Sequence, residues 1–157
     1  MMKTTMKFWA AVVAAILFVG CGGGDDNDGG GSKAPKPDGW ELMTWDGSDA
    51  LQSKVFLALN DDLSFALYQC IATPDFKKFT GTYSIDEQSG VLTGTYSDGT
   101  AFEDSYRIVE MTETALKMQS VKGGIESVYR RVVIPDYAKV PGPSVSAYDS
   151  VEEIPFL

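Results

Sequence analysis

Phe79-Thr-Gly-Thr-Tyr-Ser-Ile-Asp86 and Val91-Leu-Thr-Gly-Thr-Tyr-Ser97 share one core, Thr-Gly-Thr-Tyr-Ser, at Thr80–Ser84 and again at Thr93–Ser97. Each stretch alternates with a period of two, the signature of a strand with one buried face. If Glu87–Gly90 forms a four-residue loop, Asp86 pairs with Val91. Tyr83 then lies opposite Gly94, and Gly81 opposite Tyr96, so each ring covers a glycine of the partner strand. Phe79, Tyr83, Ile85, Leu92 and Tyr96 share one face; Thr80, Thr82, Ser84, Thr93, Thr95 and Ser97 take the other. A slip of one residue would mix the two sets, so pattern and pairing specify the same register.

The same alternation extends in both directions. Eight runs stand out, at 40–46, 54–60, 63–70, 77–86, 91–97, 101–109, 114–121 and 125–134, separated by short breaks rich in Gly, Asp, Asn, Ser and Pro. Short links join antiparallel neighbours, which predicts an all-β, small eight-stranded antiparallel up-and-down barrel. A three-residue loop at Asp98–Thr100 keeps Phe102, Tyr106 and Ile108 on the face of Tyr96, whereas a two-residue turn would expose them. Burying three large apolar groups is worth several kcal/mol and favours the longer loop. That loop also turns Asp104 inward, where a carboxylate needs a partner or water. With a tight turn at Lys122–Gly124, Leu116 and Met118 share a face with Ser127, Tyr129, Arg131 and Val133. Arg131 is then a partner for Asp104 or an anchor for a ligand. The opposite register puts Val128, Val132 and Ile134 inside and Arg131 in solvent. Both registers remain open at this point.

Upstream, Lys3 and Lys7 lead into Phe8–Gly20, thirteen residues without a charge. Crossing a bilayer takes about 20 apolar residues, so this stretch suits the core of an export signal. Phe18-Val-Gly-Cys21 resembles the lipobox of bacterial lipoproteins, with Phe18 where that motif usually carries Leu. The resemblance implies that Cys21 is acylated, with palmitate among its chains, and becomes the first residue of a membrane-anchored chain. Behind it, residues 22–39 are rich in Gly and Asp and read as a tether. Asp25-Asp-Asn-Asp28 resembles the surface-export signal of Bacteroidetes lipoproteins, which implies the outer membrane and exposure at the cell surface. Asp25, Asn27 and Gly29 also echo a calcium loop, but the closing Glu is missing and no metal is expected. The expected organisation is a signal peptide at 1–20, a tether at 21–39, a barrel domain at 40–135 and a Pro-rich tail at 136–157.

The chain of 157 residues carries a net charge of −9. Removing residues 1–20 takes away Lys3 and Lys7 and no acid, leaving −11. No basic stripe offsets this, which argues against nucleic acid as a partner. Histidine is absent from the whole chain, removing Ser-His-Asp and Cys-His catalysis and His-ligated zinc. The adjacent acids Asp61-Asp62 and Asp86-Glu87 fall in turns, where acids are common. Glu103 and Asp104 are neighbours in a strand pattern and face opposite ways. No catalytic residues and no cofactor are therefore expected. With Cys21 acylated, Cys70 has no disulfide partner and reads as a buried structural thiol.

Gly39-Trp-Glu-Leu42, Asp62-Leu-Ser-Phe65, Gly81-Thr-Tyr-Ser-Ile85 and Val128-Tyr-Arg-Arg131 together resemble the lipocalin-like domains of Bacteroidetes lipoproteins, over Trp40 to Pro135. The resemblance implies a barrel with an apolar interior and no catalytic residues to carry over. Related fatty-acid-binding barrels hold a carboxylate with Arg-x-Tyr on the last strand; here Tyr129 matches the tyrosine but Ser127 replaces the arginine. Two functions follow. One is a lipid-tethered binding module for a small apolar or amphipathic ligand, lined by Tyr83, Tyr96, Phe102, Asp104, Tyr106, Tyr129 and Arg131. The other is a packed scaffold, an interaction subunit of an outer-membrane or cell-surface assembly with a protein partner. Tyr137, Val140, Tyr148 and Phe156 give the tail apolar groups with which to wrap the barrel, should it not hang free.

Overall fold

Period-two alternation produces strands through most of the described chain, which in this computed structural model is residues 35–50, 54–140 and 153–157. The elements are β1 (Gly39–Trp45), β2 (Ser48–Asp49), β3 (Lys54–Leu59), β4 (Ser64–Cys70), β5 (Lys77–Asp86), β6 (Val91–Tyr96), β7 (Tyr106–Met111), β8 (Ala115–Ser120), β9 (Glu126–Val132) and the single helical turn α1 (Asp136–Lys139). All sheet pairings are antiparallel between sequence neighbours, except that β1 pairs with β3, and β9 returns to β1 to close the ring. The barrel is the eight-stranded up-and-down ring expected, with β2 added as a two-residue flap on the end of β1. Asp46 (φ 51°) and Gly47 (φ 72°) both take left-handed backbone at that hairpin, as a tight type I′ turn requires. Residue shifts at Met43 against β9 and at Val109 against β8 mark bulges, which bend strands into a closed barrel.

The β5–β6 register is as read from the repeat: Asp86 pairs with Val91, Tyr83 with Gly94 and Gly81 with Tyr96. The rings over the glycines come from elsewhere. A Cβ at Gly94 would collide with the ring of Phe102, and one at Gly81 with the ring of Phe65 and the carbonyl of Thr95. Phe65 reaches Gly81 because β4 pairs those two residues directly.

After β6 the turn falls at Ser97–Gly99, not Asp98–Thr100, with Tyr96 N–H donating to Thr100 O at 2.7 Å. Ala101 makes only an isolated bridge to Thr95, and the strand proper starts at Tyr106, five residues later than the pattern predicts. Phe102 nevertheless packs inward beside Tyr96, and Tyr106 and Ile108 follow. The β6–β7 seam is thin, pairing only Val91 with Arg107 and Leu92 with Tyr106.

Two apolar clusters result. Inside the ring, Val55, Leu57, Leu67, Leu92, Leu116 and Met118 are wholly buried with Trp40, Phe65, Phe102 and Tyr129. Each fully buried side chain of this kind is worth about 1.5–3 kcal/mol. Outside, Phe56, Ala58 and Tyr68 pack with Ile134 and with Ala138 of α1, joined by Phe76 and Val132. Asp38 ties this patch down: its carboxylate accepts from Ile134 N–H at 2.7 Å and from Lys139 Nζ at 2.8 Å. This resolves the two registers of the last strand. Leu116 pairs with Tyr129 and Met118 with Ser127, on the inner face. Ile134 is buried on the outside, under α1, and not within the barrel.

Candidate functional site

Up-and-down topology gathers the ends of β1, β4, β6 and β8 with the starts of β7 and β9 at one rim, here called the Trp45 end. The opposite rim, the Trp40 end, carries an open groove of about 620 Å³ lined by Pro37, Trp40, Met111, Glu113 and Arg131. There the Arg131 guanidinium lies 4.7 Å from the centre of the Trp40 ring and donates to Pro37 O at 3.3 Å. Tyr83 is near the same rim, its hydroxyl donating to Asn60 O at 2.9 Å.

The Trp45 end holds a cleft of about 520 Å³. Trp45, Ile71 and Ile125 give it apolar walls, and Tyr106, Ser120 and Ser127 bring hydroxyls. Glu103, Asp104 and Lys122 stand on its rim, and Ile154, Pro155 and Phe156 cross it. The volume falls within the range of small-ligand sites, about 300–1,000 Å³. A larger groove of about 730 Å³ runs along the outside of β4–β6 past Thr80, Thr82, Thr95 and Ser97. Ala58, Ala66, Tyr68 and Ile134 line it as well, beside Asp38, Lys78 and Lys139.

Burial shapes the chemistry of the cleft. Tyr129 is 1% exposed, and its hydroxyl has no hydrogen-bond partner among the described residues. Burial drives its pKa far up; the neighbouring Ser127 hydroxyl opposes the rise without meeting hydrogen-bond geometry, and Tyr106 adds to it. Ser127 and Tyr106 both line the cleft. The Tyr106 phenol is pushed up to about 12, by burial first and then by Asp104 and Glu103. Burial raises Tyr96 as well, and its hydroxyl donates to Leu157 O at 2.6 Å. All three phenols stay neutral at physiological pH; the Tyr106 phenol lines the cleft, and those of Tyr96 and Tyr129 are buried beside it.

The inward Asp104 paired with Arg131 is not found. Glu103–Ser105 leave the strand, and the Asp104 carboxylate accepts from Ser105 N–H at 2.7 Å and from Lys122 N–H at 3.1 Å. Burial is the largest single influence and raises its pKa, but these bonds and the Lys122 charge together outweigh it and hold the group below the ordinary value. Two rim amides satisfy the carboxylate at less cost than burying it in the barrel. Asp104 thus lines the mouth while Arg131 lies over Trp40 at the far end. Of the other predicted residues, Tyr106 lines the cleft, Tyr96 and Tyr129 flank it, Phe102 fills the core against Gly94, and Tyr83 is remote from it. The Cys70 thiol is half-buried, and burial, then Glu153 and Asp75, push its pKa up, which suits an inert thiol.

Gln69, Trp45 and Ser120 were not anticipated. Gln69 is fully buried where the inward series Phe65-Leu67 continues, and a polar residue at a core position was the legible signal. Cys21, the tether as far as residue 34 and the calcium-like acids lie outside the described residues, as does Tyr148; the tether's last residues join the fold, with Asp38 bonded to Ile134 and Lys139 and Gly39 opening β1. Tyr137 is largely exposed, with its ring 5.8 Å from Phe76.

The sequence model of the lipocalin-like domain family matches residues 37–118, more than half of the chain. The chain belongs to the lipocalin-like domain family. The match spans β1 to most of β8, so Ser127, Tyr129 and Arg131 of the lipocalin-like barrel lie beyond it. Among solved structures, an uncharacterized protein from Bacteroides eggerthii is similar at 15% identity and a TM-score of 0.45, over 60% of this chain and 98% of that one. A search of curated proteins gave no match.

Proposed function

We propose that this lipocalin-like barrel is a non-enzymatic binding module that takes a small apolar or amphipathic ligand at its Trp45 end. The observation that carries this is the Tyr129 hydroxyl, buried without a partner among the described residues beside two residues of a 520 Å³ cleft. A buried, unpaired hydroxyl costs about 1–3 kcal/mol, a cost that a ligand's hydroxyl or carbonyl would remove. The neutral phenols and the rim carboxylates of Glu103 and Asp104 favour an uncharged polar head over a carboxylate. Lipocalin-like folds are in general binding folds, and the lack of histidine supports a role without catalysis.

The test is titration of N-phenyl-1-naphthylamine, an uncharged amphiphile, into the full chain carrying Cys21→Ser, followed by fluorescence. Saturable binding of one probe per chain, weakened by Tyr106→Phe combined with Tyr129→Phe, is expected. Binding that never saturates, or that ignores both substitutions, removes the reading.

We also propose that Cys21 is acylated and holds the chain at the bacterial outer membrane, with the acidic tether directing it to the cell surface. The lipobox-like Phe18–Cys21 and the acids at Asp25–Asp28 support this. Metabolic labelling with a palmitate analogue should mark the chain, and Cys21→Ser should abolish the label. A label that survives the substitution overturns the anchor.

A further inference from the structure

The segment Glu153–Leu157 lies across the Trp45 end without joining the sheet, held by side chains of the barrel. Gln69, fully buried, reads its backbone on both sides of Pro155: Nε2 donates to Ile154 O at 2.7 Å, and Oε1 accepts from Phe156 N–H at 2.8 Å. Tyr96 Oη donates to Leu157 O at 2.6 Å. The Glu153 carboxylate, 8% exposed, accepts from Gln69 Nε2 at 2.9 Å, from Ile71 N–H at 3.1 Å and from Ala72 N–H at 3.2 Å. The Thr73 hydroxyl adds a longer contact at 3.5 Å. These donors are all neutral, so the pocket is an amide-built receptor for one carboxylate.

Side chains are read selectively as well. Phe156 meets Trp45 edge-on at 5.2 Å between ring centres, and Leu157 is buried in the barrel core. Ile154, 72% exposed, points away and is not read. Backbone bonds for affinity with pockets for particular side chains is the logic of extended-peptide recognition. A core-completing strand would instead pair its backbone in the ladder.

We propose that the Trp45 end is a peptide-binding site, with Glu153–Leu157 as its resident occupant. A partner protein would exchange with that occupant by offering an extended segment of the same chemistry: an acid, one unread residue, proline, then an aromatic and an aliphatic side chain. This goes beyond the amphiphile reading, and either can fail while the other holds. The proline matches the site because Gln69 spends its two groups on the flanking residues and leaves no acceptor for an N–H between them. Because the segment belongs to the same chain, its effective concentration is of millimolar order, so a free peptide competes poorly until the segment is weakened.

The test uses the full chain with Cys21→Ser, with and without the pair Glu153→Ala and Leu157→Ala, and a fluorescein-labelled peptide Glu-Ile-Pro-Phe-Leu read by anisotropy. The chain with the weakened segment should bind the peptide saturably and at least about ten-fold tighter than the parent. A scrambled peptide should not bind, and Gln69→Leu should abolish binding. No saturable binding to a weakened chain that keeps its β-sheet circular dichroism overturns the proposal, as does binding that survives Gln69→Leu or does not distinguish the scrambled peptide. Should the weakened chain fail to fold, hydrogen exchange on the parent decides. The amides of Ile71, Ala72 and Phe156 should exchange at least about ten-fold faster than those of Leu57 and Leu67. Equal rates would make the segment a fixed part of the fold and end the proposal.

Discussion

Replacing Tyr129 with phenylalanine should stabilise the protein and weaken its binding of ligand. The ring of Tyr129 packs in the barrel core at 1% exposure, between Leu42 on β1 and Leu116 on β8. Tyr129→Phe keeps that packing and deletes one oxygen, which has no hydrogen-bond partner among the described residues. A buried hydroxyl without a partner costs about 1–3 kcal/mol, so its removal should return about 1 kcal/mol after allowance for the small void. For a domain of this size that is a rise in Tm of about 3–5 °C. Tyr96→Phe is the matched control, because its hydroxyl donates to Leu157 O at 2.6 Å. Losing a made bond should cost about 1 kcal/mol and lower Tm by a similar amount. The two substitutions are chemically identical and should move Tm in opposite directions. Ligand binding should fall about two- to ten-fold in Tyr129→Phe, the worth of one hydrogen bond. Thermal denaturation followed by circular dichroism, with probe titration on the same samples, checks both. A fall in Tm for Tyr129→Phe comparable to that for Tyr96→Phe would refute the reasoning, because the hydroxyl would then be satisfied within the fold.

Gly94→Ala drives a methyl group into the Phe102 ring and should cost about 1–3 kcal/mol in urea denaturation, and Gly81→Ala, which meets the Thr95 carbonyl as well as Phe65, should cost more. The Glu41 carboxyl is raised by burial, but hydrogen bonds from Arg130 at 2.6 Å and Lys54 at 3.3 Å outweigh this and hold it below its ordinary value of 4.5. The folded state therefore releases this proton more readily than the unfolded one: its stabilisation is complete above about pH 4.5 and is lost as the pH falls through the lower folded value. Glu41→Gln should flatten that acid limb and lower stability at pH 7 by about 1 kcal/mol, a modest figure because both cations are half exposed. At the alkaline side the sign reverses: Tyr106 titrates near 12 in the folded chain against 10 when unfolded, so its stabilisation is full below pH 10 and drains as the pH climbs to 12. Tyrosinate absorbance rising in step with unfolding in that window, and less steeply in Tyr106→Phe, is the expected result.

The β5–β6 hairpin was legible because its outer face is solvated and polar, so Thr80, Thr82, Thr93 and Thr95 mark one side without ambiguity. Where both faces are apolar, the pattern loses its meaning. One of the two registers left open made Val132 and Ile134 interior residues, and they are covered, but by α1 and Phe76 on the outside of the barrel. The rings over Gly81 and Gly94 could not be named from one pair of strands, since Phe65 and Phe102 come from the segments on either side. Asp46-Gly47 does carry a hairpin signal, but two residues of β2 are too short to show a period. The late start of β7 follows from Asp104 bonding to rim amides, a choice between two polar environments that alternation does not encode. Glu153–Leu157 has no period at all; its place depends on single bonds to Gln69 and Tyr96, residues far away in sequence.

The polar groups of the interior decide between a filled scaffold and a binding module. An eight-stranded barrel is just wide enough for its own side chains to fill, and toward the Trp40 end they do: Leu57, Leu67, Leu92 and Leu116 are wholly buried, and Arg131 stacks over Trp40. A scaffold needs no more than this, repeated to the other rim. Toward the Trp45 end the chain instead carries Gln69, Tyr96, Tyr106, Ser120, Ser127 and the hydroxyl of Tyr129. Polar groups at core positions must be paired or lose stability, so each needs a partner that an apolar residue would not. Gln69 and Tyr96 are paired by Glu153–Leu157, which explains them only if that segment belongs there. Tyr129 is explained neither by the core nor by the segment. A sequence departs from local consistency where function demands it; the buried indole N–H of Trp40 also lacks a partner among the described residues, but the interior hydroxyls and the Gln69 amide gather toward the Trp45 end.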